Sequence, residues 1–333
     1  MTVMRCAHTA GSATMVLSVM CGFAAPDVLA QGAAGFPSRP VRVIVSSPAG
    51  GSPDILARLL GQKMSESVGQ QVVVDNRAGA GGTIGAGLAS KAAPDGYTLL
   101  VGHIGTFGVN STLYPKLPYD PIRDFQPVTL FAKVPNMMVV NPSVPARSVK
   151  ELVALAQGKP GTLNYGSAGN GSAAHLLVEY FRLLTKTDIQ HVPYRGTAPA
   201  LTDLIAGQVS MTITGLPPLL PHVKTGKIRA LGVSTVQRVA QLPDVPTIIE
   251  AGVPGYDVTQ WFGLMAPAGT PRPIIMRLHT EVTRALQRPD LRERYAAEAT
   301  DPVTNSPEEF AAFVVSEIAR WAPVVKASGA KPE

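Results

Sequence analysis

The stretch from Val43 to Ala57, VIVSSPAGGSPDILA, runs from an apolar segment through two adjacent glycines into a segment of a different period. Before the glycines, VRVIV (41–45) reads as a buried strand. After them, Ile55, Leu56, Leu59, Leu60 and Met64 share one face of a helix expected over 53–68. A strand that turns through glycine into a helix is the opening unit of an α/β sheet, and such sheets hold ligands at that end of the strand. No Lys follows the glycines, and no G-x-x-x-x-G-K-[ST] occurs anywhere, so a nucleoside triphosphate is a poor match. The turn offers something simpler. The first N–H groups of a helix lack partners within it, and the helix dipole adds partial positive charge there. Glycine lets a ligand come close to those amides. A carboxylate fits this arrangement, with about 0.3–2 kcal/mol from the dipole alone.

The same alternation continues along the chain. Strand-like runs are QVVVDN (71–76), YTLLVG (97–102), PVTLFA (127–132), NMMVVN (136–141), SMTIT (210–214), IRALGVS (228–234) and FGLMAP (262–267). Helical periods between many of them imply an α/β fold with mainly parallel sheets flanked by helices. Helix starts are punctuated. Ser52-Pro53-Asp54 supplies a cap, an early proline and an acid, and Ser148–Glu151 and Ser306–Glu309 fit capping boxes. A seam near Val134-Pro135 and a return near Tyr256–Trp261 divide the chain into two lobes joined by two crossing segments. The first lobe takes 31–133 and 262–333, the second 134–261. Trp261, at the return, is expected to report closure by fluorescence.

Composition bounds the function. With 333 residues, 45% hydrophobic and 16% charged, the chain can bury a large core, so wholesale disorder is excluded. Residues 1–30 read as a secretory signal peptide cleaved after Ala30, with Arg5, a short apolar run from Met15 to Ala25 and a small-residue site. Both cysteines, Cys6 and Cys21, fall inside it, so the mature chain is expected to have no disulfide, zinc-cysteine site or cysteine nucleophile. Its net charge stays at +6, because the segment carries one Arg and one Asp. The basic residues are scattered, which suits small anions rather than nucleic acid.

A second glycine turn, NYGSAGNGSAAHLL (164–177), enters a helix capped by Ser172. Facing the first across a cleft, it would complete an anion site; the plainer alternative is two ordinary strand-to-helix turns. NRAGAGGTIGAG (76–87) fails the dinucleotide pattern at Ile84 and reads as close packing or a turn. There is no G-x-S-x-G and no H-E-x-x-H. His103, His175, His191, His222 and His279 are isolated, His175 as loop support. Asp54 reads first as a cap or dipole partner and only second as a ligand contact.

Taken in order, FPSRPVRVIV, PAGGSPDILAR, GQQVVVDNRAGAGGTIGA, APDGYTLLVG, YDPIRDFQPV, LNYGSAGNGSAAHL, HVPYRGTAPALTDLIAGQV, LPDVPTIIEAG and APAGTP resemble the Bug or TctC proteins over nearly all of 36–331. These are extracytoplasmic solute receptors of tripartite tricarboxylate transporters. The resemblance implies a two-lobed, type II-like periplasmic binding protein, monomeric and without cofactor or metal, that closes on a small carboxylate. It implies a membrane permease of one large and one small subunit as partner. The candidate contacts it suggests are Ser47, Pro48, Ala49, Gly50, Gly51 and Asp54 in the first loop, with Thr106 and Asn110. From the second lobe come Ser167, Ala168, Gly169, Asn170, Gly171, Ser172 and His175, with Tyr194 and Thr214. Two departures stand out: Ser47 replaces a usual aromatic, and Thr214 replaces a frequent acid. Without that acid a ligand ammonium lacks a partner, so a plain carboxylate is expected over an amino acid. A sensory receptor using the same closed lobes is the alternative. A secreted enzyme acting on carboxylates is disfavoured, because His103, His175 and Asp54 lack partners at legible spacing.

Overall fold

The computed structural model describes residues 35–332; the expected signal segment, with Cys6 and Cys21, lies outside them. The strands are β1 (Val41–Val45), β2 (Val72–Asn76), β3 (Thr98–His103), β4 (Phe125–Val140), β5 (Leu163–Ser167), β6 (Ile189–Pro193), β7 (Met211–Gly215), β8 (Arg229–Val233), β9 (Thr259–Pro267) and β10 (Asp301–Pro302). The helices are α1 (Ser52–Val68), α2 (Thr83–Ser90), α3 (Asn110–Leu113), α4 (Val149–Gly158), α5 (Ala173–Thr185), α6 (Thr197–Ile205), α7 (Leu220–Lys224), α8 (Arg272–Gln287), α9 (Pro289–Ala297) and α10 (Pro307–Ser328). A wide helical turn, Ile104–Val109, precedes α3.

The fold is α/β and two-lobed. Its strands run β2-β1-β3-β9-β4-β7-β5-β6, with β8 and β10 also paired to β4. The expected parallel groups are present as β2-β1-β3 and β6-β5-β7. Between them the long strands β4 and β9 pair antiparallel, which makes the sheet mixed. Period-two alternation covers both faces. Val43 and Val45 pack with Leu56, Leu60 and Met64 of α1 and Ile275, Leu278 and Val282 of α8, while Ile44 turns to the opposite cluster with Ala86 and Leu100.

The two runs expected on either side of the Val134-Pro135 seam are one continuous strand, β4. Pro135 is tolerated there because the strand changes partner at that point. Phe125–Pro135 pairs with β9, and Asn136–Val140 pairs with β7 and β8. The proline lacks an N–H, and its carbonyl still accepts from Leu216 N at 3.0 Å. Of the expected capping boxes, Ser306–Glu309 closes in both directions. At α4, Ser148 Oγ accepts from Glu151 N, but the Glu151 carboxylate reaches one residue further, to Arg147 N at 2.7 Å.

Where β4 and β9 cross, a buried amide ties them together. Asn136 Nδ2 donates to the Val258 carbonyl (2.8 Å), its backbone N–H donates to Ser234 Oγ (3.0 Å), and its Oδ1 accepts from Gln260 Nε2 (2.7 Å). Replacing Asn136 with Ala leaves the buried Gln260 amide unpaired and takes from the Val258 carbonyl one of its two donors, the other being Ser234 Oγ. An unmade bond of this kind costs about 1–3 kcal/mol. Urea unfolding of Asn136→Ala should therefore show a loss of about 2–3 kcal/mol, and a loss below about 0.5 kcal/mol would mean the crossing does not depend on it.

Candidate functional site

The first glycine turn is stapled from within. Helix α1 is capped by Gly51 (φ −86°, ψ 165°) rather than by Ser52, which is the first helical residue. Asp54, buried beneath the turn, accepts from Gly50 N (2.9 Å) and from Arg58 Nε (2.9 Å). Burial disfavours its charge, yet the hydrogen bonds from Gly50, Arg58 and Asn76 and the Arg58 guanidinium hold its carboxyl below the usual carboxylate range. Asp54 is thus a loop staple, and the Gly50 amide is committed to it. Pro53 has no N–H, and the Asp54 and Ile55 amides turn back to the Gly51 carbonyl. That leaves the Ser52 amide as the free donor of the first turn.

The second turn follows the same pattern. Gly169 N donates to Ser167 Oγ (3.1 Å), Gly171 N to His175 Nδ1 (3.1 Å) and Ser172 N to the Gly169 carbonyl (3.2 Å). Ser172 Oγ caps α5 by accepting from His175 N at 3.3 Å. The glycine amides expected to face a ligand are spent inside their own loop. The amides of Ala173 and Ala174, the first two residues of α5, have no acceptor among the described residues, and both residues line the cavity described next.

Both turns open on one cavity of about 310 Å³. Of the residues expected from sequence, Ser47, Pro48, Gly51, Ala168, Ser172, Tyr194 and Thr214 line it. Ala49 and Gly50 sit exposed at the outer edge of the first turn, outside its wall. Ser167, Gly169, Asn170, Gly171 and His175 also lie outside the wall, as the frame of the second turn. Thr106 and Asn110 are fully buried behind it; Thr106 Oγ1 caps the wide turn through His103 N, and Asn110 Nδ2 holds the Gly81 carbonyl at 3.0 Å. Tyr194 hydroxyl donates to Asp203 at 2.7 Å, and burial with that carboxylate pushes it up to about 12, so it presents a ring rather than a charge.

The two sides touch. A Cβ built on Gly196 (φ +132°) would lie 2.6 Å from Pro48 Cγ, and one on Gly81 (φ +61°) 2.9 Å from the Asn170 carbonyl. Gly81 belongs to the third glycine stretch, whose Ala78–Gly82 segment also lines the cavity. The close packing expected of that stretch is thus packing that forms part of the cavity wall. Ser46, Thr197, Gln260 and Phe262 line the cavity too and were not anticipated, and His103, named from sequence only as an enzyme's candidate base, lines it as well. Arg195 is the one charged side chain lining it, exposed and without an ion-pair partner among the described residues. It was legible only as the Arg of HVPYRG. No Asp or Glu lines the wall. Trp261 points the other way, its Nε1 on Glu317 at 2.8 Å, because alternation along β9 gives the cavity to Gln260 and Phe262.

The model of the tripartite tricarboxylate transporter family receptor matches residues 56–330. The chain belongs to this family. Its members are solute-binding receptors of the transport class, not enzymes. The receptor is similar to R. palustris Rpa4515, solved with adipate: 41% identity, covering 90% of this chain and 100% of that one, TM-score 0.86. It is similar to MatC (Rpa3494) from Rhodopseudomonas palustris with bound malate: 38% identity, 87% and 100% covered, TM-score 0.83. It is also similar to the periplasmic binding protein BugD: 33% identity, 89% and 99% covered, TM-score 0.85.

Behind the receptor's second turn, His175 and His191 stack at 4.1 Å with Tyr165 beyond, and His191 Nε2 meets Ser167 Oγ at 2.6 Å. Burial pushes His103, His175 and His191 down to about 4, with the Arg182 charge adding at His175 and the neighbouring His175 at His191. Each is neutral in the fold, while an unfolded chain takes up protons near pH 6.5. Stability from these groups is therefore whole above about pH 6.5 and is lost as pH falls toward about 4. Urea midpoints should fall across that window. His175→Asn, whose Oδ1 can still accept from Gly171, should show a shallower fall; an unchanged slope would contradict the assignment.

Proposed function

We propose that this protein is a periplasmic receptor that captures a small organic carboxylate between its lobes and hands it to the permease of a tripartite tricarboxylate transporter. In this reading the lobes are 31–133 with 262–333 and 134–261, and residues 1–30 direct export. The observation that carries it is the cavity wall: two helix starts, α1 and α5, open on one space that no acid lines. Such a wall attracts an anion without an ion of its own, through unpartnered amides and the two dipoles. The solved relatives bearing adipate and malate support the chemical class. Ser47, Pro48, Gly51, Ala168, Ser172, Tyr194 and Thr214 are the proposed contacts. The other loop residues act as their frame. Because the wall draws on both lobes, a ligand that touches both favours the closed form, which is the form a permease would recognise.

Arg195 adds a second requirement. An unpaired guanidinium at the wall favours a ligand with a further anionic group. A thermal-shift screen of the purified protein should give stabilisation by adipate or malate, about 2.7 kcal/mol at a hundredfold excess over Kd. Aspartate and glutamate should stabilise it less, because Thr214 offers an ammonium no charge. Arg195→Gln should weaken adipate by about 5-fold or less and leave hexanoate unchanged, since an exposed ion pair contributes about 1 kcal/mol at most. Tight aspartate binding with no response to any dicarboxylate would overturn the ligand reading.

A further inference from the structure

Two serines at the end of β1 carry a hydrogen-bonding pattern that neither the loop geometry nor the helix starts explain. Ser46, 3% exposed, lines the cavity, and its Oγ lies 3.1 Å from His103 Nε2. On the other side of the imidazole, His103 Nδ1 faces the Gly105 N–H at 3.1 Å. A donor pointing at Nδ1 requires that nitrogen to be bare, because two hydrogens cannot share one line. Burial keeps the ring neutral, so its single proton sits on Nε2. Nε2–H then donates to Ser46 Oγ, and Ser46 must accept. Its own hydroxyl hydrogen is left over, with no other acceptor among the described residues.

Beside it, Ser47 Oγ is buried with no hydrogen-bond partner and its residue lines the same cavity. Two neighbouring hydroxyls, each with a hydrogen to give, are a poor match for a cation or a metal. They match an acceptor with two oxygens.

We propose that Ser46 and Ser47 donate their hydroxyl hydrogens to the carboxylate of the ligand, and that His103 is a positioning residue that compels Ser46 to be a donor. This rests on the carboxylate reading above and adds a side-chain grip to the backbone one.

Two substitutions of His103 separate positioning from structure. His103→Asn keeps an oxygen where Nδ1 accepts from Gly105, so the turn stays capped, but it cannot reach Ser46. His103→Gln places an amide N–H near the position of Nε2 and gives up the cap. The purified protein is titrated by calorimetry with adipate, malate, hexanoate and benzoate, and each variant is then measured with the tightest of them. Ser46→Ala and His103→Asn should each weaken binding by about 10-fold or more, the scale of a hydrogen bond to a charged group. The double variant should be no weaker than either single one, because the histidine acts only through the serine. His103→Gln should recover most of the affinity lost in His103→Asn while melting lower. Nitrogen-15 NMR of the free protein should show the His103 proton on Nε2.

Wild-type affinity in Ser46→Ala, additive losses in the double variant, or a proton on Nδ1 would each overturn the proposal while leaving the receptor reading intact. A wild-type protein that binds none of the four acids would overturn that reading and this proposal together.

Discussion

A peptide N–H at the first turn of a helix cannot titrate, cannot rotate away and cannot be paired within its own helix. Two such starts open on one cavity here, and the surrounding residues are arranged around keeping them available. Asp54 takes the Gly50 amide, His175 takes that of Gly171, and Ser167 takes that of Gly169. Each staple makes its glycine turn rigid by using donors that a flexible loop would otherwise offer at random. Among the donors left over are the amide of Ser52 on one side and those of Ala173 and Ala174 on the other, all on residues that line the cavity. Preorganised donors of this kind lose little entropy on binding, so a few of them suffice. The absence of a lining acid matters as much, since one carboxylate in the wall would cancel the partial charge of both helix starts.

The mechanical frame is the pair β4 and β9. Because β4 runs unbroken past Pro135 and merely exchanges β9 for β7 and β8, the crossing is made of paired strands rather than loose linker. Asn136 sits at the point of exchange, and its partner Gln260 also lines the cavity. A side chain at the crossing therefore belongs to both the frame and the wall. Close approach across the cleft depends on glycine in the same way. At Gly196 any side chain would meet Pro48, and at Gly215 any would meet Ser52.

Much of this was legible in the residues, and the parts that were not share a cause. The β1–α1 unit could be read from period and glycine because both are local properties, and so could the helix start at Ser172. The mixed sheet could not, since NMMVVN and PVTLFA carry the same apolar signal whether they are two strands or one. Nothing local says that Pro135 falls where a strand changes neighbours. In the site, glycine pointed to loops that line the cavity, but not to which of their amides stay unpaired, because the donors that Asp54 and His175 take up depend on side-chain reach. Ser46 and His103 carry no motif at all. Each is a single polar residue at a strand end, and only the tertiary approach of β1 and β3 brings them together. Arg195 is one of many scattered cations until the fold places it at the wall.

The amide of Ala173 offers the most direct measurement. Proline is favoured at the first position of a helix, and Ser172 already has the extended backbone (φ −66°, ψ 158°) that a following proline requires. Ala173→Pro thus deletes one N–H from the cavity wall and leaves the helix intact. The expected result is a folded protein with a melting temperature close to the parent and a carboxylate affinity lower by about 10-fold or more. A correctly folded Ala173→Pro protein that binds its carboxylate as tightly as the parent would contradict the claim that bare helix-start amides hold the ligand.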